Sequence, residues 1–323
     1  MDSPSSDDVL VLGAGLAGLT CARTLVDAGH SPLVVDKGRS VGGRLATRRI
    51  GDATLDHGAQ FFTVRGADFA AEVGRAEGAG VVAPWCHGFG DPPDGFARYR
   101  AEGGMNRWAK WLAEGLAITT GVEIERLTVD NGRFVAHHGD HRMSASHLVA
   151  TAPVPQLLTL LERGGVDLAP DVTERLGGIR YHRTLALLAT VDGPAAIPEP
   201  GGVQLDDGPF SFVADNQAKG ISAAPAVTFH ASHAVSDELF DRDDADAIEA
   251  LLDHATRWLG NASVADVQLK RWRYAGPVTP DPDPCVVTEI DGATLVVAGD
   301  AFAGPKVEGA FNSGRAAATA LLS

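Results

Sequence analysis

Apolar and polar positions change their period several times along this chain, and each change marks an element. Val9–Leu12 (VLVL) is a continuous apolar run, as in a strand buried on both faces of a parallel sheet. It gives way to glycines and then to a helix, followed by a second apolar strand, Pro32–Val35. Residues 61–101 are rich in Gly, Pro, Trp and Phe and predict irregular structure with short strands. A helix over Asn106–Gly115 precedes three expected strands, Ile124–Val129, Arg133–His138 and Arg142–Leu148, with Asn131-Gly132 as a hairpin turn. Tyr181–Asp192 and Ala226–Ser232 are strand-like. In Asp243–Leu259, residues Ala247, Ile248, Leu251, Leu252, Ala255, Trp258 and Leu259 fall on one helical face. Leu295–Ala298 is the last expected sheet strand and Gly309–Leu321 the closing helix. Strands alternating with helices predict an α/β fold.

Composition narrows the function classes. With 323 residues and 45% hydrophobic content the chain can bury a sizeable core, in two domains or in one large core with an insertion. A net charge of −15 argues against nucleic acid or an anionic membrane as partner, so any phosphate site needs local Arg or Lys. Cys21, Cys86 and Cys285 are scattered, without metal or redox spacing. The start MDSPSSDD is polar and unlike a signal peptide, and no apolar stretch reaches the ~18 residues of a membrane span. These features predict a reducing, cytoplasmic setting.

The chemistry begins after the first strand. Gly13, Gly15 and Gly18, with Ala14, Leu16 and Ala17 between them, have the GxGxxG spacing. Gly13 permits the turn, Gly15 lets backbone approach a pyrophosphate, and Gly18 lets helix pack on strand. The helix start offers free N–H groups to phosphate. Asp36, at the end of the second strand, can accept ribose hydroxyls, with Lys37 beside it. A second glycine pair, Gly42-Gly43, is followed by Arg44, Arg48 and Arg49. It suggests another loop closing over the same pyrophosphate, with Arg44 suited to bidentate phosphate contact.

These motifs resemble the flavin amine oxidase superfamily, in which GxGxxG, an acid and GGR occur at this spacing. Asp56–Thr63 (DHGAQFFT) resembles the segment beneath the flavin ring, bringing in Gly58, Ala59, Gln60 and Phe61. Gly104–Leu127 resembles the helix-then-strand return to the nucleotide domain, with Ile124 at the adenine contact. Leu148–Leu158 resembles the crossing to the substrate domain. In the C-terminal GDAFAGPKVEGAFNSG, Gly299 and Asp300 match the ribityl contact, and Val307, Glu308, Gly309 and Ala310 match the helix start facing the pyrimidine ring. The resemblance implies non-covalent FAD and a p-hydroxybenzoate hydroxylase/amine oxidase-like fold. Its Rossmann-type FAD-binding domain (1–60, 102–155, 286–323) would interleave with an α+β substrate domain (61–101, 156–285).

Within the superfamily, DKGRSVGGRLATRR…DHGAQFFT, KRWRYA at Lys270–Ala275 and GDAF…VEGAFNSG resemble renalase and its bacterial relatives. That resemblance implies oxidation of NAD(P)H isomers, with electrons passed to oxygen to give hydrogen peroxide. The small-molecule substrate would be a dihydronicotinamide, or on the alternative readings an amine or a desaturase substrate; a flavin-binding protein without turnover is a further alternative. Candidate substrate-side residues are His57, Asn216, Lys219, Arg273 and Tyr274. Each has a bland alternative: His57 satisfied by Asp56 or backbone, Asn216 and Lys219 in a solvated loop, Trp272 and Tyr274 as core on the face opposite Arg273. His137, His138 and His141 straddle a hairpin turn and are not expected to hold metal. Many amine oxidases carry a lysine early in the strand matching Ile179–Asp192; here IRYHRT stands instead. The three tyrosines, 99, 181 and 274, also make a paired-tyrosine cage hard to build.

Overall fold

The computed structural model describes residues 8–90 and 92–323. Of the polar N-terminal stretch read above, residues 1–7 lie outside the described residues. The chain forms two compact units: 1–43, 109–180 and 276–323 make the first, and 44–108 with 181–275 the second.

The first unit is built on a six-stranded sheet. Its order is Val286–Ile290, Ala293–Val297, His147–Ala150, Val9–Leu12, Leu33–Asp36, Ala117–Thr120. All neighbours are parallel except the antiparallel first pair. The central strands bury nearly every side chain, as their uninterrupted apolar runs require. Helices Leu16–Asp27 and Lys306–Leu322 pack together so closely that a Cβ on Gly314 would collide with the Ala17 carbonyl. A meander of Arg126–Asp130, Arg133–His138 and His141–Ala145 completes this unit's strands. The single strand expected at Arg142–Leu148 is two. It breaks at Ser146, whose N–H donates to Asp8 (3.0 Å), and the chain leaves the meander for the parallel sheet.

The second unit contains a five-stranded sheet, ordered Gly202–Gln204, Phe210–Asp215, Ala226–Ala231, Tyr181–Val191, Val264–Pro277. The helix Asp244–Leu259 buries Ala247, Leu251, Ala255 and Leu259 among Leu185, Leu187, Val227 and Phe229. Its cap is Asp243, which accepts from the Asp246 N–H at 2.9 Å. Hairpins Thr47–Ile50/Ala53–Asp56 and Val82–Cys86/Arg98–Ala101 belong to the same unit. Residues 61–101 are less irregular than their composition suggests. They contain the helix Ala67–Gly78, which buries Phe69, Val73 and Ala76 on one stripe.

Candidate functional site

In the first unit the three motif glycines do different work. Gly13 has φ +107°, a conformation open to glycine. A Cβ on Gly18 would fall into the Gly13 carbonyl, so only glycine lets the helix sit on the strand end. At Gly15 an added Cβ meets nothing within 4 Å: the space beyond it is open. Gly15 is also the N-cap of its helix, so no side chain satisfies the first-turn N–H groups. The second glycine pair comes to this spot. Gly42 N–H donates to Ala14 O at 2.8 Å, and a Cβ on Gly43 would stand 3.3 Å from the Gly15 Cα. Ala14, Leu16 and Ala17 are buried beneath this turn. Asp36 ties the cradle together: one carboxylate oxygen accepts from Ala14 N–H and the other from Gly38 N–H, both at 2.6 Å. Lys37 is exposed beside it.

The C-terminal motif follows strand Ala293–Val297. Gly299 N–H donates to Ser313 Oγ at 2.8 Å, and Asp300 is buried. The helix carrying Val307, Glu308, Gly309 and Ala310 in its first turn begins after Pro305, again without a side-chain cap. Ile124 is buried between the edge strand and the meander.

The second unit is organised around Asp56, at the end of the Thr47–Asp56 hairpin. Asp56 and Lys219 form an ion pair at 2.8 Å with both side chains wholly buried. The same carboxylate accepts from Thr47 Oγ1 (2.6 Å) and Met105 N–H (2.8 Å). Its carbonyl accepts from Gln60 Nε2 (2.7 Å) and Thr228 Oγ1 (2.9 Å). Asn216 Oδ1 accepts from Asp56 N–H, and Asn216 Nδ2 donates to Thr228 Oγ1 at 3.0 Å. Lys219 and Asn216 are thus interior residues. Burial pulls the Lys219 ammonium below its usual range, and Asp56 opposes that pull.

Around this knot lies the DHGAQF segment. A Cβ on Gly58 would strike the Arg44 carbonyl, to which Ala59 N–H donates at 2.9 Å. Buried Gln60 has an unpartnered Oε1, and His57 an unpartnered, buried Nδ1. Gln60 Nε2 lies 3.3 Å from His230 Nε2. Burial is the main force pushing both imidazoles down to about 4; for His57 the Lys270 and Arg48 charges add to it. Both rings are therefore neutral near pH 7. Phe61 joins an aromatic cluster with Phe89 (5.0 Å) and Phe212 (5.5 Å).

On strand Val264–Pro277 alternation separates the remaining candidates. Trp272 Nε1 donates to His57 O at 2.6 Å, and the two rings stack at 5.4 Å. Arg44 Nη1 donates to the Tyr274 and Ala275 carbonyls. Arg273 points the other way, exposed, its guanidinium 5.2 Å from the Phe240 ring centroid. Tyr274 meets Tyr181 edge-on at 5.5 Å and 78°, so a tyrosine pair does form despite the small number available. His137 is bonded to Arg126 and Thr128, and among the described residues no group of three or more His, Cys, Asp or Glu could hold a metal ion. Sequence reasoning passed over His230, whose place against Gln60 comes from a strand 170 residues away, beyond any local spacing.

In the first unit, the open ground beyond Gly15 and the uncapped helix starts fit the phosphates of a dinucleotide. Comparisons with known proteins agree. Residues 11–72 match the NAD(P)-binding Rossmann-like domain, and 76–322 match flavin containing amine oxidoreductase. Short stretches resemble curated proteins: putrescine oxidase of Kocuria rosea is 45% identical over 56 residues, 17% of this chain and 12% of that protein. The 15-cis-phytoene desaturase of Synechococcus elongatus is 53% identical over 38 residues, 12% of this chain and 8% of that one. The matches thus span only about a tenth of those relatives' length. Whole-chain likeness appears in solved structures at low identity. Cyclohexylamine oxidase from Brevibacterium oxydans has a TM-score of 0.69, 15% identity and coverage of 97% and 98%. A CLA-producing fatty acid isomerase from P. acnes has 0.67, 13%, and 99% of both chains. The family match runs over most of the sequence and through both units: this chain belongs to the flavin containing amine oxidoreductases, with FAD as its cofactor.

Proposed function

We propose that the protein is a renalase-like oxidase, taking a hydride from dihydronicotinamide isomers of NAD(P)H. When bound, FAD accepts the electron pair and passes it to oxygen, giving hydrogen peroxide. Gly13–Gly18, Asp36, Gly43 and the first turn at Val307–Ala310 would hold it non-covalently through backbone N–H groups and helix dipoles.

The observation that carries this reading is the state of Lys219. The lysine next to the DHGAQF segment is locked by Asp56, and the neighbouring imidazoles are neutral with pKa values of about 4. Neutral imidazole is a weak base at that value, so these groups do not deprotonate a substrate ammonium. A dihydropyridine needs no such step, because it gives up hydride without losing a proton. The unpartnered Gln60 Oε1 and His57 Nδ1 can orient a ring and its amide. Three free cysteines, with the Cys21 thiol pushed up to about 12 by burial, suit a reducing, cytoplasmic home; among the described residues no helix is long and apolar enough to cross a membrane.

Anaerobic mixing of the holoenzyme with dihydronicotinamide isomers should bleach the flavin rapidly. Bleaching by simple amines, with the isomers inert, would overturn the reading. Amine oxidation is the second reading, favoured by the Tyr181–Tyr274 pair and by the amine oxidases among the relatives.

A further inference from the structure

The face that the Thr47–Asp56 hairpin shares with strand Val264–Pro277 is basic, in a chain whose net charge is −15. On the strand, Gln268, Lys270, Trp272 and Tyr274 alternate onto one side. On the hairpin, Thr47 pairs with Asp56 and turns toward the buried knot, which puts Arg48 on the opposite side. His57 N–H donates to Ala46 O, so His57 lies on that same side. The two sides meet: Arg48 Nε donates to Gln268 Oε1 at 3.0 Å, and His57 stacks on Trp272. Asp56, the carboxylate nearest His57 in the chain, is on the far side and already neutralised by Lys219. The Nη groups of Arg48 make no hydrogen bond among the described residues. Burial first, and then the Lys270 and Arg48 charges, hold the His57 imidazole below its usual range.

We propose that Arg48 and Lys270 recognise the phosphate of a dihydronicotinamide nucleotide, with the His57–Trp272 stack beside it. This inference rests on the dihydronicotinamide reading and adds to it the residues that recognise the donor's phosphate. A guanidinium with free Nη groups and an ammonium on one face match a phosphate dianion. The same pair repels a substrate ammonium, so the face selects against amines.

The test uses holoenzyme with nicotinamide mononucleotide and nicotinamide riboside, which differ by the phosphate alone. Binding is read from perturbation of the flavin absorbance band, and reduction from anaerobic mixing with the dihydro form of each. Wild type should bind the mononucleotide at least about tenfold more tightly, as expected for hydrogen bonds to a charged group, and lose most of that margin in high salt. Arg48→Gln and Lys270→Gln should each bring the ratio toward one without changing riboside binding, while Arg48→Lys keeps part of it. Equal binding of the two ligands by wild type, or an unchanged ratio in both glutamine variants, would overturn the site. If phosphate preference holds but no dihydro form bleaches the flavin, the site stands and the hydride reading falls. If both forms bleach it equally well and bind equally, the reading stands and the site falls.

Discussion

The two units solve opposite problems. In the first, the glycine cradle is made of backbone: its helix starts are uncapped and an added Cβ at Gly15 would meet only space. In the second, the Asp56 knot is made of side chains, and almost every donor and acceptor in it is already bonded. A backbone site is kept open by leaving atoms out. A side-chain site is kept rigid by closing nearly every bond; near the knot, Gln60 Oε1 and His57 Nδ1 are left open. Changes at the open ground of the first unit, as at Gly15, should therefore act mainly on cofactor retention, and changes in the Asp56 knot mainly on folding.

The sharpest test is Lys219→Met. It leaves the Asp56 carboxylate buried without its cation, at a cost of about 3–5 kcal/mol. Urea unfolding should show this, and adding Asp56→Asn should recover part of it. A Lys219→Met protein as stable as wild type would break the contrast. Next comes a pair of glycine substitutions. Gly18→Val drives a side chain into the Gly13 carbonyl and should cost up to about 3 kcal/mol. Gly15→Val should leave thermal stability of the FAD-free protein nearly unchanged yet abolish full flavin stoichiometry. Asp36→Ala removes acceptors from Ala14 N–H and Gly38 N–H and should weaken FAD binding by about 1.5–3 kcal/mol, measurable by flavin release.

The last test is pH dependence. His57 and His230 sit at about 4 in the folded protein, against about 6.5 in the unfolded chain. Between those values the unfolded chain binds protons that the folded chain refuses. Stability should therefore fall as pH drops from 6.5 toward 4, then level off on this account. Denaturant midpoints at several pH values would check it, and His230→Asn should flatten the slope.

The same division explains what could be read in advance. The cradle was legible because glycine spacing is itself the mechanism: φ +107° at Gly13 and close approach at Gly18 are demands on residue type. The α/β order follows from apolar runs such as Val9–Leu12 and Leu295–Ala298. The Asp56–Lys219 pair bridges 163 residues, and no local period encodes it. Resemblance alone marks Lys219, since its sequence surroundings suit a solvated loop equally well, whereas the side chain is wholly buried. The helix Ala67–Gly78 has a stripe of only Phe69, Val73 and Ala76 among Gly, Ala and Glu, too thin to stand out against neighbouring turn residues. The break at Ser146 was hidden for a different reason: strand character continues through it while the partner changes.

The interlock at Gly314 has a consequence for biosynthesis. The first glycine-rich helix leaves the ribosome early, but the surface it needs, near Ala17, is supplied by a helix some 300 residues later. The strand His147–Ala150 that pairs with Val9–Leu12, and Ala293–Val297 on its far side, arrive late too. The second unit, ending at 275, has all its segments earlier and can mature while the first still waits. Crowding position 314 with a side chain should thus lower the yield of native protein from translation more than it alters any property of the molecules that do succeed.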